Sequence, residues 1–171
     1  LQARDAAGNW SAPTNMSLNV TNLDDTGPTV GASQSFSYAE NQVANAVVGT
    51  VAATDDTGVT AFRFGATGTQ TSADGYYTID NAGVIRITAA GVAAGVANND
   101  FEIAPNSFTY TVEAGDVAGN WSPATSVGLA VTNLDDSAPT VAAGQSFSYA
   151  ENRASGALLG TVAASDDTGV T

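Results

Sequence analysis

Carboxylates and side-chain amides, gathered in short recurring clusters, are the groups in this sequence best placed for concerted chemistry. Asp24-Asp25 and Asp135-Asp136 are paired within peptides of one pattern, V-T-N-L-D-D-x-x-P-T-V, starting at Val20 and Val131. Asp55-Asp56 and Asp166-Asp167 are paired again, each ahead of Thr-Gly. Glu40 and Glu151 each follow Tyr-Ala and precede Asn; Asp100 and Glu102 stand two apart; Asp5 and Asp116 each precede an Ala-Gly-Asn-Trp turn. A donor set made of oxygens suits calcium, which takes six to eight oxygens at about 2.3–2.6 Å in flexible geometry. Zinc favours His or Cys, and the chain has neither. Magnesium dehydrates reluctantly and seldom uses an all-protein cage.

The same absence of His and Cys removes the Ser-His-Asp and Cys-His arrangements of nucleophilic catalysis. Paired carboxylates can serve a glycosidase, but here they fall between elements and no insertion is long enough to build a cleft. No enzyme activity is expected.

The elements that must position these acids repeat. Shifting the chain by 111 residues aligns 1–60 with 112–171, with 39 of those 60 positions identical. The expected organisation is therefore a tandem array: residues 1–22 the tail of one repeat, 23–133 a complete one, and 134–171 the opening of the next. Within the complete repeat, period-two alternation predicts about seven short strands. They are Ser35–Tyr38, Ala46–Thr54, Val59–Phe64, Tyr76–Ile79, Val84–Thr88, Phe108–Glu113 and Ser126–Thr132. Turn signals such as Asp74-Gly75 and Gly119-Asn120 separate them. Ala89–Ala97 is alanine-rich but interrupted by Gly91 and Gly95, and predicts at most a helical turn or an irregular crossover. The fold class expected is an all-β, antiparallel, seven-stranded β-sandwich of immunoglobulin-like type.

Placed on that frame, 14 of the 17 acids lie at strand ends or joints; only Asp74, Asp80 and Glu113 fall elsewhere. Two carboxylates about 4 Å apart repel by about 4 kcal/mol even at an effective dielectric of 20. A knot of five or more would force a joint open without a cation inside it. The net charge of −13, with four arginines and no lysine, makes nucleic acid a poor partner. No apolar run approaches 18 residues, so these residues are not expected to insert into a membrane.

At these residues the chain resembles the cadherin repeat in its bacterial, cadherin-like form. Tyr38-Ala39-Glu40-Asn41 is similar to the family's x-E-N element, and Ala53-Thr54-Asp55-Asp56-Thr57-Gly58 to its A-x-D-x-D-x-G loop. Tyr77–Asp80 with Gly83–Ile85 resembles the F-x-I-D and G-x-I strands. Asn99–Glu102 stands where L-D-R-E belongs, and Asn133–Pro139 where D-x-N-D-N-A-P does. The Gly-Asn-Trp turn also resembles bacterial immunoglobulin-like adhesin repeats. The resemblance implies calcium between successive repeats. At a lower joint Glu40, Asp100, Glu102, Asn133, Asp135 and Asp136 would join Asp166 and Asp167. At an upper joint Asn22, Asp24 and Asp25 would combine with Asp55, Asp56 and Asp116. Glu151 and Asp5 would fill the same roles in neighbouring repeats.

The function expected from sequence is a calcium-stiffened, extracellular extender of a large bacterial surface adhesin or filament. Its partners would be neighbouring repeats of the same or another copy. The rivals are a binding module that holds polysaccharide or pairs with its like, and a filament subunit assembled by strand complementation. A row of exposed aromatics on a flat sheet face would favour the binding module; small polar residues there would favour the extender. Trp10 and Trp121 are expected to cover the ends of sandwich cores.

Overall fold

A computed structural model of the chain describes residues 1–94 and 99–171. Six of the seven expected runs each coincide with one strand, while Ala46–Thr54 is split between two short strands that belong to different sheets. The elements of the central body are β1 (Thr29–Val30), β2 (Gln34–Ala39), β3 (Val47–Thr50), β4 (Ala53–Thr54), β5 (Val59–Phe64), β6 (Tyr77–Ile79), β7 (Val84–Ile87), α1 (Ala89–Ala93), β8 (Ser107–Asp116) and β9 (Thr125–Thr132). A four-stranded sheet runs β2-β9-β8-β5, and a three-stranded sheet runs β3-β7-β6. Their facing side chains form one core, in which Phe64, Tyr77, Ile79, Ile85, Ile87, Val112, Val127 and Leu129 are buried. At about 25 cal/mol per Å² of apolar area, each such side chain stabilises the fold by about 1.5–3 kcal/mol.

The first strand is broken, and the break moves the chain from a two-stranded β1–β4 sheet to the edge of the four-stranded sheet. β1 pairs antiparallel with β4 through Thr29↔Thr54 and Val30↔Ala53. At Ser33 the backbone enters the left-handed region (φ 56°), and β2 then joins the four-stranded sheet. The Gln34 side chain bridges the break. Its Nε2 donates to the carbonyls of Gly31 and Ala52, and its Oε1 accepts from the Ala52 N–H at 2.7 Å. One pair departs from the antiparallel expectation: β2 and β9 are parallel, from Gln34↔Val127 to Ala39↔Thr132. Direction is set by how the chain returns to a sheet edge, and alternation carries no information about it.

The ambiguous alanine stretch forms one short helix, α1, capped by Thr88, whose Oγ1 accepts from the Gly91 N–H at 3.0 Å. Gly91 is packed too closely for a side chain: a Cβ there would lie 2.6 Å from the Tyr76 carbonyl oxygen. The rest of the expected crossover, residues 95–97, lies outside the described residues. Among the described residues no helix is long and apolar enough to cross a membrane.

Outside the central body the geometry recurs at the 111-residue offset. β10 (Thr140–Val141) pairs with β11 (Ala164–Ser165) in the register of β1 with β4. Gln145 repeats the bridge of Gln34, with its Oε1 accepting from Ala163 N–H at 2.6 Å. The bridge Arg4↔Trp10 repeats Gly115↔Trp121.

Tyrosines tie the sheets to each other. The hydroxyls of Tyr38 (β2) and Tyr77 (β6) share a hydrogen bond of 2.6 Å across the core. Tyr110 on β8 donates to Asp74 Oδ2 at 2.6 Å, and the buried Ser72 donates to Asp74 Oδ1 at 2.6 Å. Burial pushes the Asp74 carboxyl up, but the bonds from Ser72, Tyr110 and the Tyr76 N–H outweigh it and hold it below 3.8. A carboxylate depressed in the folded state contributes stability above its unfolded pKa and loses it as pH falls through the folded one. Asp74 is exposed and Asn keeps one acceptor oxygen, so Asp74→Asn is expected to cost about 0.5–1 kcal/mol at pH 6. The difference from the parent, measured by urea unfolding, should close progressively below pH 3.8.

Candidate metal centres at the unit joints

Strand ends converge at the two poles of a sandwich, so acids that close the strands are brought together by the fold. Three carboxylate trios result, each able to offer oxygens within 4.8 Å of one another: Asp24-Asp55-Asp116, Glu40-Asp100-Glu102 and Asp135-Asp166-Asp167.

At the upper pole, Asp116 ends β8 and is buried. Its Oδ1 accepts from the N–H groups of Gly119 and Asn120, and its Oδ2 from Asn120 Nδ2 at 2.8 Å. Burial raises its carboxyl, and the bonds from Asn120 and the turn more than reverse this, leaving it below 3.8. Asp5 makes the same turn with Asn9 in the first residues of the chain. Asp55 holds the Asp-Thr-Gly loop: its Oδ2 accepts from Thr57 N–H, Thr57 Oγ1 and Gly58 N–H at 2.8–3.0 Å. Thr57 Oγ1 also lies 2.6 Å from Asp24 Oδ2. Asn120 reaches the Asp24 carbonyl at 3.3 Å, fastening the linker to the turn. Asp56 accepts from Asn22 Nδ2 at 3.4 Å. Asp25 is exposed and stands outside the trio.

The lower pole is built around Glu40, which is 2% exposed. Its Oε2 accepts from Phe101 N–H at 2.6 Å and its Oε1 from Leu134 N–H at 2.7 Å. These bonds draw the Asp100–Glu102 loop and the 133–136 linker onto the end of β2. Asp135 meets Asp166 and Asp167, while Asp136 accepts from Asn41 Nδ2. Asn133 Nδ2 donates to Asp167 Oδ2 at 2.8 Å. The two lower trios touch through Glu102 and Asp167. The Glu102 backbone N–H favours its charged form, but desolvation, the charges of Glu40 and Asp136 and a bond shared with Asp167 raise it above 4.5. The Asn133 amide, aided by Glu102, holds Asp167 below 3.8. Glu151 is exposed, unlike its counterpart Glu40.

Orphaned oxygens test whether these trios fit a cation. Among the described residues four side-chain oxygens are shielded from solvent without a hydrogen-bond donor. Asp24 Oδ1, Asn133 Oδ1 and Asp166 Oδ1 each belong to a trio or bond directly to one, and the fourth, Asn106 Oδ1, does not. A buried acceptor without a donor costs about 1–3 kcal/mol. In each case the amide nitrogen or the other carboxylate oxygen is free to bind protein while the orphan stays open. Such oxygens, beside two or three carboxylates, fit a hard divalent ion.

Residues that the acid pattern alone did not single out are Thr57, Asn120 and Asn41, which steer the acids. All three lie in or beside the repeated motifs, which is the signal that could have found them. Trp121 differs from expectation. It is 37% exposed and lies over Gly115, where a Cβ would approach the indole to 3.1 Å. Its outer face carries the Arg63 guanidinium at 3.7 Å, a cation–π stack that Glu113 fixes through a 2.6 Å ion pair.

No protein-family model matches the chain, and no curated protein matches it in sequence. Solved structures do match. The crystal structure of human protocadherin-24 EC1-2 aligns over 83% of this chain and 60% of that one, with TM-score 0.55 and 18% identity. Chicken VE-cadherin EC1-2 aligns over 67% of this chain and 54% of that one, with TM-score 0.50 and 21% identity. The chain thus spans less than two thirds of either solved chain. At these identities the likeness is one of fold: the protein carries a cadherin-like β-sandwich.

If like charge dominates the upper trio, removing one carboxylate relieves it. Asp24→Asn keeps an oxygen for Thr57 and should raise the stability of the chelator-treated protein by about 1 kcal/mol. A thermal melt in EDTA checks this; a lower melting temperature would show that the trio is held by its hydrogen bonds and not strained by its charge.

Proposed function

We propose that this chain is a stretch of tandem cadherin-like units whose joints hold calcium, forming an extracellular extender of a bacterial surface adhesin or filament. The observation that carries the reading is the set of orphaned oxygens beside the acid trios, on residues that recur at the 111-residue offset. Asn22, Asp24, Asp55, Asp56 and Asp116 would serve the upper joint; Asp25 is the weakest member of the expected set. Glu40, Asp100, Glu102, Asn133, Asp135, Asp136, Asp166 and Asp167 would serve the lower. The ion would supply positive charge between groups that otherwise repel, turning a loose string into a stiff rod. Affinity in the extracellular range, Kd of about 10⁻⁴–10⁻³ M, suits ligands held on exposed linkers.

The outer face of the four-stranded sheet favours an extender over a polysaccharide platform. Ser35 and Ser37 on β2, Ser126, Gly128 and Ala130 on β9, and Thr109 and Thr111 on β8 lie along it in register. They are small or polar, and an aromatic row for stacking sugar rings is missing there among the described residues.

A second reading rests on a separate observation. Leu18 and Val20 are 82% and 98% exposed, whereas their counterparts Leu129 and Val131 are 1% and 3% exposed in β9. Residues 14–21 therefore suit a strand position in the sheet of another unit. When that unit belongs to another copy, the result is a filament built by strand complementation.

Small-angle scattering with added calcium and with EDTA tests the extender. The maximum dimension should shorten and the melting temperature fall on chelation. Replacing Asp135 and Asp136 together with alanine should reproduce the scattering change while the central body keeps its unfolding transition. Identical scattering profiles in the two buffers would remove calcium from the joints.

A further inference from the structure

Tension along an array of units enters each one through its first strand and leaves through its last. In this sandwich those two strands are neighbours, and they are parallel. β2 follows directly on the entry segment and β9 precedes the exit linker, with six registered pairs between them. We propose that the β2–β9 pair is a mechanical clamp that lets the unit bear load along the chain, an inference that rests on the extender reading.

The argument is geometric. Pulling on the entry draws β2 backward from Gln34, and pulling on the exit draws β9 forward from Thr132. For parallel neighbours these forces oppose each other along a common axis, so the pair is loaded in shear and its evenly spaced bonds share the force together. Antiparallel terminal strands would instead be pulled apart from one end, a bond at a time. The exit end of the pair is also pinned. The Glu40 N–H continues the ladder to the Thr132 carbonyl at 3.1 Å, and its carboxylate holds Leu134 N–H, two residues beyond it. The side chains beneath the ladder shield it from water: Val127, Leu129 and Val131 are 0–3% exposed. Tyr38, on β2, is fixed to the opposite sheet through Tyr77. β1, with two registered pairs, is the weak preface to this clamp and should give first.

Single-molecule pulling of the whole chain in two directions tests the clamp. The protein has no cysteine, so introduced pairs define the handles without interference. Leu1→Cys with Thr171→Cys loads the pair in shear. Ala32→Cys with Ala124→Cys grips both strands at their starting ends and peels them apart. Urea midpoints of the two variants should agree, which excludes a difference in folding. The shear geometry should then show a short early extension followed by a rupture force several-fold higher than the peeling geometry, in calcium and in EDTA alike. Equal rupture forces in the two directions would overturn the clamp whatever EDTA does to the scattering. A directional difference present only with calcium would also overturn it, because resistance would then belong to the ion. A difference that survives in EDTA, beside unchanged scattering, would keep the clamp and reject calcium at the joints.

Discussion

One carboxylate holds the lower end of the fold together. Glu40 sits at the end of β2, is almost wholly buried, and accepts from the backbone N–H groups of Phe101 and Leu134. Bonds to a charged acceptor are worth about 1.5–3 kcal/mol each. Taking a carboxylate out of water costs several kcal/mol. Two such bonds about offset that cost and leave little surplus, so the residue supplies placement more than stability. What it places is an acidic loop, an acidic linker and the exit of the last strand, all at one point. The negative charge gathered there has no arginine within ion-pair distance; the ion pair in the described residues is Arg63–Glu113, on the sheet face.

Local geometry and tertiary burial separate clearly in this chain. The Asp-x-Ala-Gly-Asn-Trp turn and the Gln bridge at the strand break each appear twice with nearly the same distances, and the Asn–Asp bond of the linker recurs at 3.4 and 2.8 Å. The turn is written into one short peptide, while the Gln bridge and the Asn–Asp bond join segments 18 and 34 residues apart. Burial is different: Glu151, Phe147 and Tyr149 are exposed where Glu40, Phe36 and Tyr38 are packed against β9 or its neighbours.

Strand positions were legible because half-buried strands alternate, and Phe62, Phe64, Ile85 and Ile87 do so without exception. The convergence of acids was legible because strand ends must meet at poles. Direction was not: nothing in Gln34–Ala39 distinguishes a parallel neighbour from an antiparallel one. Nor was the role of Asp74, an acid away from the poles, which proved to receive hydroxyls from Ser72 and Tyr110. Trp121 was misjudged as an end cover because its partner Arg63 is 58 residues earlier and meets it only through the β5–β8 pairing. The steering residues Thr57, Asn120 and Asn41 lie beside acids in sequence, yet their targets in Asp24 and Asp136 come from distant segments.

As an extender, this architecture would draw stiffness and strength from separate origins, and Glu40 is where they would meet. On the extender reading proposed above, the angle between units would depend on charges carried by linkers and loops, which respond to the ionic medium. On the same reading, resistance along the chain would depend on the β2–β9 backbone ladder over buried side chains, which does not. The Glu40 N–H belongs to the ladder and its carboxylate to the joint. Load arriving through residues 133–136 therefore meets the carboxylate first and the ladder next, in series. A series arrangement lets the joint loosen without opening the sandwich, and ties the exit strand down at the point where the pull arrives.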